Sequence, residues 1–243
     1  MLLYIIRHGD PIYDPDCLTE LGHRQAEALV PRLTPLGFDK IFVSPMIRAK
    51  QTAEPTCKAL GITPEVKGFL SEEALFKKLS MMLPADEGDV PPHMRWCFHQ
   101  QTTNYKPENI AAAQQNWYDI PAFAPCRDTA APAYQNFVKE ADEFLCSLGY
   151  RREGERYKIE NPPYERVAVF CHQGVGLTWL SHMLAIPPQV FWASFDITHT
   201  GISVVEFKNY ENGITAPKCL CLSDTSHLFG ADLPLKYLGT MPF

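Results

Sequence analysis

Three short, largely apolar runs stand out along the chain: Leu2–Ile6, Lys40–Val43 and Val167–Cys171. Each has strand length, and each is closed by polar residues and a turn former: Arg7-His8-Gly9, Ser44-Pro45 and His172-Gln173-Gly174. Runs of this kind fit strands buried on both faces, as in the middle of an α/β sheet. In such sheets ligands bind at the C-terminal ends of the strands.

The intervening segments carry helical spacing. Thr19 is suited to cap a helix with apolar positions Leu21, Ala28, Leu29 and Leu33, in which Pro31 predicts a kink or an early end. Ser44 as N-cap and Pro45 at the first helical position predict a second helix to about Leu60 and Gly61, bent at Pro55. A short extended piece ends in Leu70-Ser71-Glu72-Glu73. Residues 133–149 return to a helical pattern through Phe137, Ala141, Phe144, Leu145 and Leu148, and Val175–Leu184 predicts a further apolar helix. Tyr150–Arg166 reads as a charged loop, Gly201–Phe207 as a strand, Asn212-Gly213 as a turn, and Ile214–Leu222 as the hairpin partner of that strand. Beyond Ser223 the pattern is irregular.

Between 84 and 131 prolines recur among Trp96, Phe98, His99, Tyr105, Trp117, Tyr118 and Phe123. Linkers lack so many aromatics, so this stretch reads as a cap-like insertion in one domain spanning residues 1–243. With 46% hydrophobic and 21% charged residues the chain can bury a sizeable core. A net charge of -6 and the lack of a Lys/Arg run argue against a nucleic-acid surface. The opening apolar run is too short for a signal peptide or a membrane span, and a cytoplasmic protein is expected. Eight scattered cysteines without a paired C-x-x-C spacing point to reduced thiols. The nearest approaches to a metal cluster, Cys219 and Cys221 with His227, and His93 with Cys97 and His99, are outweighed by core packing.

The chemistry concentrates where the strands end. Gly9 lets the chain turn, so that His8 is presented at the sheet edge. Arg48 falls in the first turn of the second helix, where a cation is electrostatically misplaced unless an anion shares the site with it and with the free backbone N–H groups. A second histidine, His172, arrives at the same kind of junction.

Arg7-His8-Gly9, Leu18-Thr19-Glu20-Leu21-Gly22 with Gln25-Ala26, Ser44-Pro45-x-x-Arg48-x-x-Gln51-Thr52-Ala53, Leu70-x-Glu72 and His172-x-Gly174 together resemble the histidine phosphatase superfamily, in the branch of phosphoglycerate mutases and small-molecule phosphatases. The resemblance covers residues 2–73 and 167–207. It implies a three-layer α/β/α sandwich with a central mixed, mostly parallel sheet, and a metal-free phosphoryl transfer without cofactor. It departs at Asp10-Pro11, where the family usually has Glu-Thr, and at Asp14, where it usually has asparagine.

On that reading His8 is the nucleophile, and Arg7, Arg48 and His172 hold the phosphoryl oxygens with backbone N–H groups around Gln173. Glu72, favoured over Glu73 by the Leu-x-Glu spacing, is the general acid. The expected activity is a phosphomonoesterase acting on a small organic phosphate through a phosphohistidine. The alternatives are a phosphoglycerate mutase, disfavoured because the insert has only isolated Arg95 and Arg127 while Arg151-Arg152 lies later, and a catalytically silent phospho-ligand module. The expected partner is a small-molecule phosphomonoester, with no nucleic acid or membrane; oligomeric state is not legible.

Overall fold

The computed structural model describes residues 1–83, 93–99 and 116–235. In chain order β1 (Leu2–Arg7) leads through a two-stranded ribbon, β2 (Pro11–Ile12) and β3 (Cys17–Leu18), into α1 (Glu20–Leu33). Then come β4 (Lys40–Val43), α2 (Ile47–Leu60), β5 (Glu65–Val66), α3 (Glu72–Phe76) and the paired β6 (Ser80–Leu83) and β7 (His93–Trp96). The long α4 (Arg127–Ser147) is followed by β8 (Tyr150–Glu153), β9 (Arg156–Ile159), β10 (Arg166–Cys171), α5 (Gln173–Met183) and α6 (Pro188–Ser194). The chain closes with β11 (Ile202–Glu206), β12 (Ile214–Thr215), β13 (Lys218–Asp224) and α7 (Ser226–Gly230).

Six strands form the central sheet in the order β13-β11-β1-β10-β4-β5. β1, β10, β4 and β5 are mutually parallel, and β11 runs antiparallel to both β1 and β13. Alternation along the strands divides the core between the two faces. Tyr4, Ile6, Ile41, Val43, Ala168 and Phe170 pack with Leu29 and Leu33 of α1 and Ala49, Ala53 and Cys57 of α2. Leu3, Ile5, Phe42, Val167, Val169 and Cys171 pack with Phe137, Phe144 and Leu145 of α4 and Val175 and Trp179 of α5. The result is the expected α/β/α layering around a mixed, mostly parallel sheet.

Several expected boundaries shift, each for a local reason. Thr19 caps α1 as expected, its hydroxyl accepting from Gly22 N–H. The helix nevertheless runs through Pro31 to Leu33, because Leu29 and Leu33 are both fully buried. α2 begins at Ile47 after an extended Met46, whose N–H donates to the Ser44 hydroxyl at 3.3 Å ahead of the helix. α4 starts at Arg127 instead of 133, its buried stripe extending back from Phe137 to Ala130. The expected loop over Tyr150–Arg166 contains the β8–β9 hairpin, in which Tyr150 and Tyr157 are wholly buried. The expected partner of β11 is split: Ile214–Thr215 pairs with β9, and Lys218–Asp224 pairs with β11.

Within the stretch read as an insertion, residues 84–92 and 100–115 lie outside the described residues. Of its described aromatics, Trp96, Phe98, Trp117 and Phe123 belong to the same core cluster as α4 and α5. Trp96 packs against Phe76 and Trp192 at 5.1 and 5.2 Å between ring centroids. Cys219, Cys221 and His227 form no metal-ligating cluster among the described residues, and the side chain of His93 lies outside them.

One contact ties α1 to the end of β1. A Cβ on Gly9 would meet the Gly22 carbonyl oxygen at 2.7 Å, and one on Gly22 would meet the Asp10 carbonyl oxygen at 2.2 Å. Two backbones therefore press on each other where only glycines fit. Gly22→Ala should cost about 1–3 kcal/mol of stability, the range for overpacking a tight site, measured by urea unfolding. A variant as stable as the parent would show that the turn after His8 can yield.

Candidate active site

Parallel pairing of β1 with β10 sets Arg7 opposite Cys171, so the residues that follow, His8 and His172, leave the sheet side by side. Their ring centroids lie 5.1 Å apart. β4 pairs with β10 so that Val43 lies opposite Phe170, and the next residue, Ser44, meets His172 Nε2 through its hydroxyl at 2.7 Å. This is the hydroxyl expected to cap α2.

His8 is 1% exposed. Its Nδ1 lies 2.7 Å from the Gly9 carbonyl oxygen. A carbonyl only accepts, so Nδ1 carries the proton and Nε2 presents its lone pair. The turn is held by Gly9 N–H donating to Thr52 Oγ1, which in turn donates to the Arg48 carbonyl. This explains the conjunction of Arg48 and Thr52 on one helix.

Two guanidinium groups flank the histidines, Arg7 at 4% and Arg48 at 3% exposure. Arg7 donates to the Ile197 carbonyl at 2.6 Å and to His199 Nε2 at 2.8 Å. Arg48 donates to Asp16 Oδ1 at 2.7 Å and to Glu72 Oε2 at 3.1 Å. The second oxygen of Asp16 accepts from Ile47 N–H at the start of α2. Glu72 Oε1 accepts from Gly174 N–H at the start of α5, at 2.9 Å. Carboxylates thus occupy the N-termini of both helices, where free N–H groups attract anions. Arg7 Nε, Arg48 Nε and His172 Nδ1 are buried without a hydrogen-bond partner among the described residues. Buried polar groups ordinarily find a partner, so these atoms leave hydrogen-bonding capacity unused within the cluster.

Burial lowers the proton affinity of His8 well below the ordinary value, and His172, Arg7 and Arg48 act in the same direction. His172 is shifted the same way by burial, then by Arg48 and Arg7. Arg7 is lowered too, chiefly by burial, with Glu72 opposing. A cavity of about 710 Å³ opens beside this cluster, lined by Tyr13, Asp16, Arg48, Glu72, Phe76 and Trp96 among others. A larger cavity of about 940 Å³, between Lys67–Lys78 and α4, contains none of the site residues.

Arg7, His8, Arg48, Glu72 and His172 therefore converge as expected. Gln173 begins α5 beside the cluster, where its backbone was expected, and its side-chain amide donates to Asp196. Glu73 is exposed and paired with Lys77 at 2.5 Å, away from the arginines. Two neighbours were not foreseen. Asp16 is part of a turn whose pairing has no local signature. His199 immediately precedes Thr200 and Gly201 before β11, a strand antiparallel to β1, so its N-terminal side faces the ends of β1 and β10. A search of that edge as well as of the parallel strand ends would have found it.

His8, Glu72 and His172 offer ligand atoms within 4.8 Å of one another. A cation there would face both guanidinium groups and would have to take Glu72 from Arg48, so the electrostatics favour an anion.

Known proteins resemble this chain in sequence and in fold. The family model described as histidine phosphatase superfamily (branch 1) matches residues 3–120. An adenosylcobalamin/alpha-ribazole phosphatase of Salmonella typhi is 24% identical, over 79% of this chain and 84% of its own. The fold is similar to that of a phosphoserine phosphatase from Entamoeba histolytica solved with 3-phosphoglyceric acid, with TM-score 0.57, 19% identity, and 93% of this chain and 98% of that one covered. It is also similar to a mycobacterial glucosyl-3-phosphoglycerate phosphatase, with TM-score 0.54, 19% identity and coverage of 91% and 98%. No helix among the described residues is long and apolar enough to cross a membrane.

The buried neutral histidines predict a pH dependence of stability. Unfolded, each takes a proton below about pH 6.5; folded, each resists it. The unfolded state then binds more protons, so stability is full above that range and falls as pH drops from about 7 to 5. His227, lowered to about 4, adds to the same slope. Urea midpoints measured across this range should fall, and His8→Asn should flatten the decline; an unchanged slope would show that His8 protonates as freely in the fold as outside it.

Proposed function

We propose that this chain, a member of the histidine phosphatase superfamily, is a metal-independent phosphomonoesterase that acts on a small organic phosphate through a phosphohistidine at His8. The observation that carries this reading is the state of His8: proton on Nδ1, lone pair on Nε2, and two buried arginines and a second neutral histidine around it. A neutral imidazole is a competent nucleophile toward phosphorus. Nε2 forms the P–N bond as the bond from phosphorus to the leaving oxygen breaks. Arg7, Arg48, His172 and the N–H groups at the start of α5 take the charge on the nonbridging oxygens, the task a magnesium ion performs in many kinases.

Glu72 fits the acid–base role. A phosphoryl group seated on Arg48 and on Gly174 N–H takes the two donors that Glu72 now holds. The freed carboxyl then stands beside a dianion, where carrying a proton relieves like-charge repulsion. It gives that proton to the departing alkoxide. As a carboxylate it next takes a proton from the water that attacks phosphohistidine, releasing phosphate and restoring His8.

The mutase alternative needs a pair of arginines at the mouth of the site. Arg151 pairs with Glu153 and Glu160, and Arg152 with Asp142 and Tyr157. Both belong to the β8–β9 hairpin, whose Tyr150 accepts from the Met1 amino group at the start of β1, the end of the sheet opposite His8. Arg127 is paired with Asp119.

Quenching the reaction with labelled substrate in excess chelator, under conditions that spare phosphohistidine, should trap label on His8, and His8→Ala should trap none. Label on His172, or full turnover with no covalent phosphate, would overturn the assignment.

Glu72→Gln should slow turnover of an alkyl phosphate far more than that of p-nitrophenyl phosphate, whose leaving group needs little protonation. Equal losses on the two substrates would remove Glu72 from the acid role, and a selective loss on Glu73→Gln would transfer it.

A further inference from the structure

The two arginines of the site are held in opposite ways. Arg48 is bound by two carboxylates, Asp16 and Glu72. Arg7, equally buried, has no carboxylate within ion-pair distance among the described residues. Its two acceptors among the described residues are both uncharged: the Ile197 carbonyl and the ring of His199. A guanidinium has only donors, so His199 Nε2 is the acceptor in that contact and the ring is neutral, its proton on Nδ1. Nδ1 faces Asp10 Oδ1 at 3.5 Å, and Asp10 is itself fixed by Thr19 Oγ1, which donates to Oδ2 at 2.8 Å. The cap of α1, Asp10, His199 and Arg7 form one chain of contacts. The His199 ring lies 5.7 Å from that of His8.

The difference matters for an anion site. A carboxylate on Arg7 would orient the side chain and also cancel its charge, and an entering phosphate would compete with it. A neutral acceptor orients the guanidinium and leaves its charge available. We propose that His199 is a positioning residue that holds Arg7 in place as an uncharged acceptor, keeping the full guanidinium charge for a phosphoryl group. The negative charge of Asp10, at ion-pair distance from Nδ1, favours the tautomer of His199 with its proton on that nitrogen, away from Arg7. The proposal rests on the phosphomonoesterase reading for its substrate; what it says of Arg7 is testable by anion binding alone.

The test compares His199→Gln, His199→Glu and His199→Leu in the full chain. Gln and Glu have the same shape and both place an oxygen near the position of Nε2, one neutral and one charged; Leu offers no acceptor. Two quantities are read: orthovanadate affinity, from isothermal titration, and kcat and KM on p-nitrophenyl phosphate. His199→Gln should stay within about threefold of the parent in both, given the modest net worth of a matched hydrogen bond. His199→Glu and His199→Leu should lose roughly tenfold or more in vanadate affinity and in kcat, with a smaller change in KM, as expected when a hydrogen bond to a charged group is lost or its charge is neutralised.

Melting temperatures identify a variant that has lost its fold. Should His199→Leu be such a variant, the isosteric Glu and Gln pair still decides. Equal vanadate affinity for Glu and Gln would overturn the proposal, as would a Leu variant that binds vanadate like the parent. A parent that binds vanadate with the predicted order of variants yet turns over no phosphomonoester would leave the role of His199 standing and remove the phosphatase reading. A parent that turns over substrate while all three variants match it would do the reverse.

Discussion

Everything at the site depends on the parallel pairing of β1 with β10 in a single register. With Arg7 opposite Cys171, the two histidines that follow emerge at the same level of the sheet. A slip of one residue would move one ring by about 3.3 Å along the strand and turn every side chain of that strand to the other face. Tyr4 and Ile6 would then exchange places with Leu3 and Ile5, whose partners lie in different helix layers. The hydrophobic alternation of the strands and the proximity of the histidines are therefore one constraint. The core enforces the geometry of the site without any contribution from the site itself.

The site works against that stability. Burying two guanidinium groups beside imidazoles desolvates charge, and the protein compensates unequally. Around Arg48, Asp16 and Glu72 supply opposite charge while also terminating α2 and α5. Around Arg7, carbonyl and imidazole acceptors satisfy hydrogen bonds and leave the charge largely intact. Holding the imidazoles neutral is the corollary, since a third and fourth cation in the same volume would add repulsion to desolvation.

Much of this was legible in the sequence because the informative residues sit at punctuated strand ends. Arg7, His8 and His172 follow uninterrupted apolar runs, and Arg48 follows a Ser-Pro turn; local pattern marks such places, and the family resemblance of the motifs gave them their roles. The residues that escaped are those whose role depends on partners remote in the chain. His199 precedes an antiparallel strand, so a rule that searches the ends of parallel strands passes over it. Asp16 reaches Arg48 from a turn between two very short strands. The β8–β9 hairpin was hidden by Arg151, Arg152, Glu153, Glu155, Arg156 and Lys158, which surround the two wholly buried tyrosines that define it. The partner of the Gln173 side chain, Asp196, comes from a separate segment and left no trace in the local pattern.

The carboxylate of Glu72, lodged on Arg48 and on the first turn of α5, gives the site an internal occupant. Anion uptake here is an exchange of one negative group for another, and the observed affinity is the difference between the two. The same exchange runs in reverse. When inorganic phosphate leaves, a tethered carboxylate is at hand to take its donors, and tethering gives it a high local concentration without any cost of encounter. A site that must grip the group in flight yet let go of the free ion is served by such a resident competitor, which bears on residence time more than on recognition.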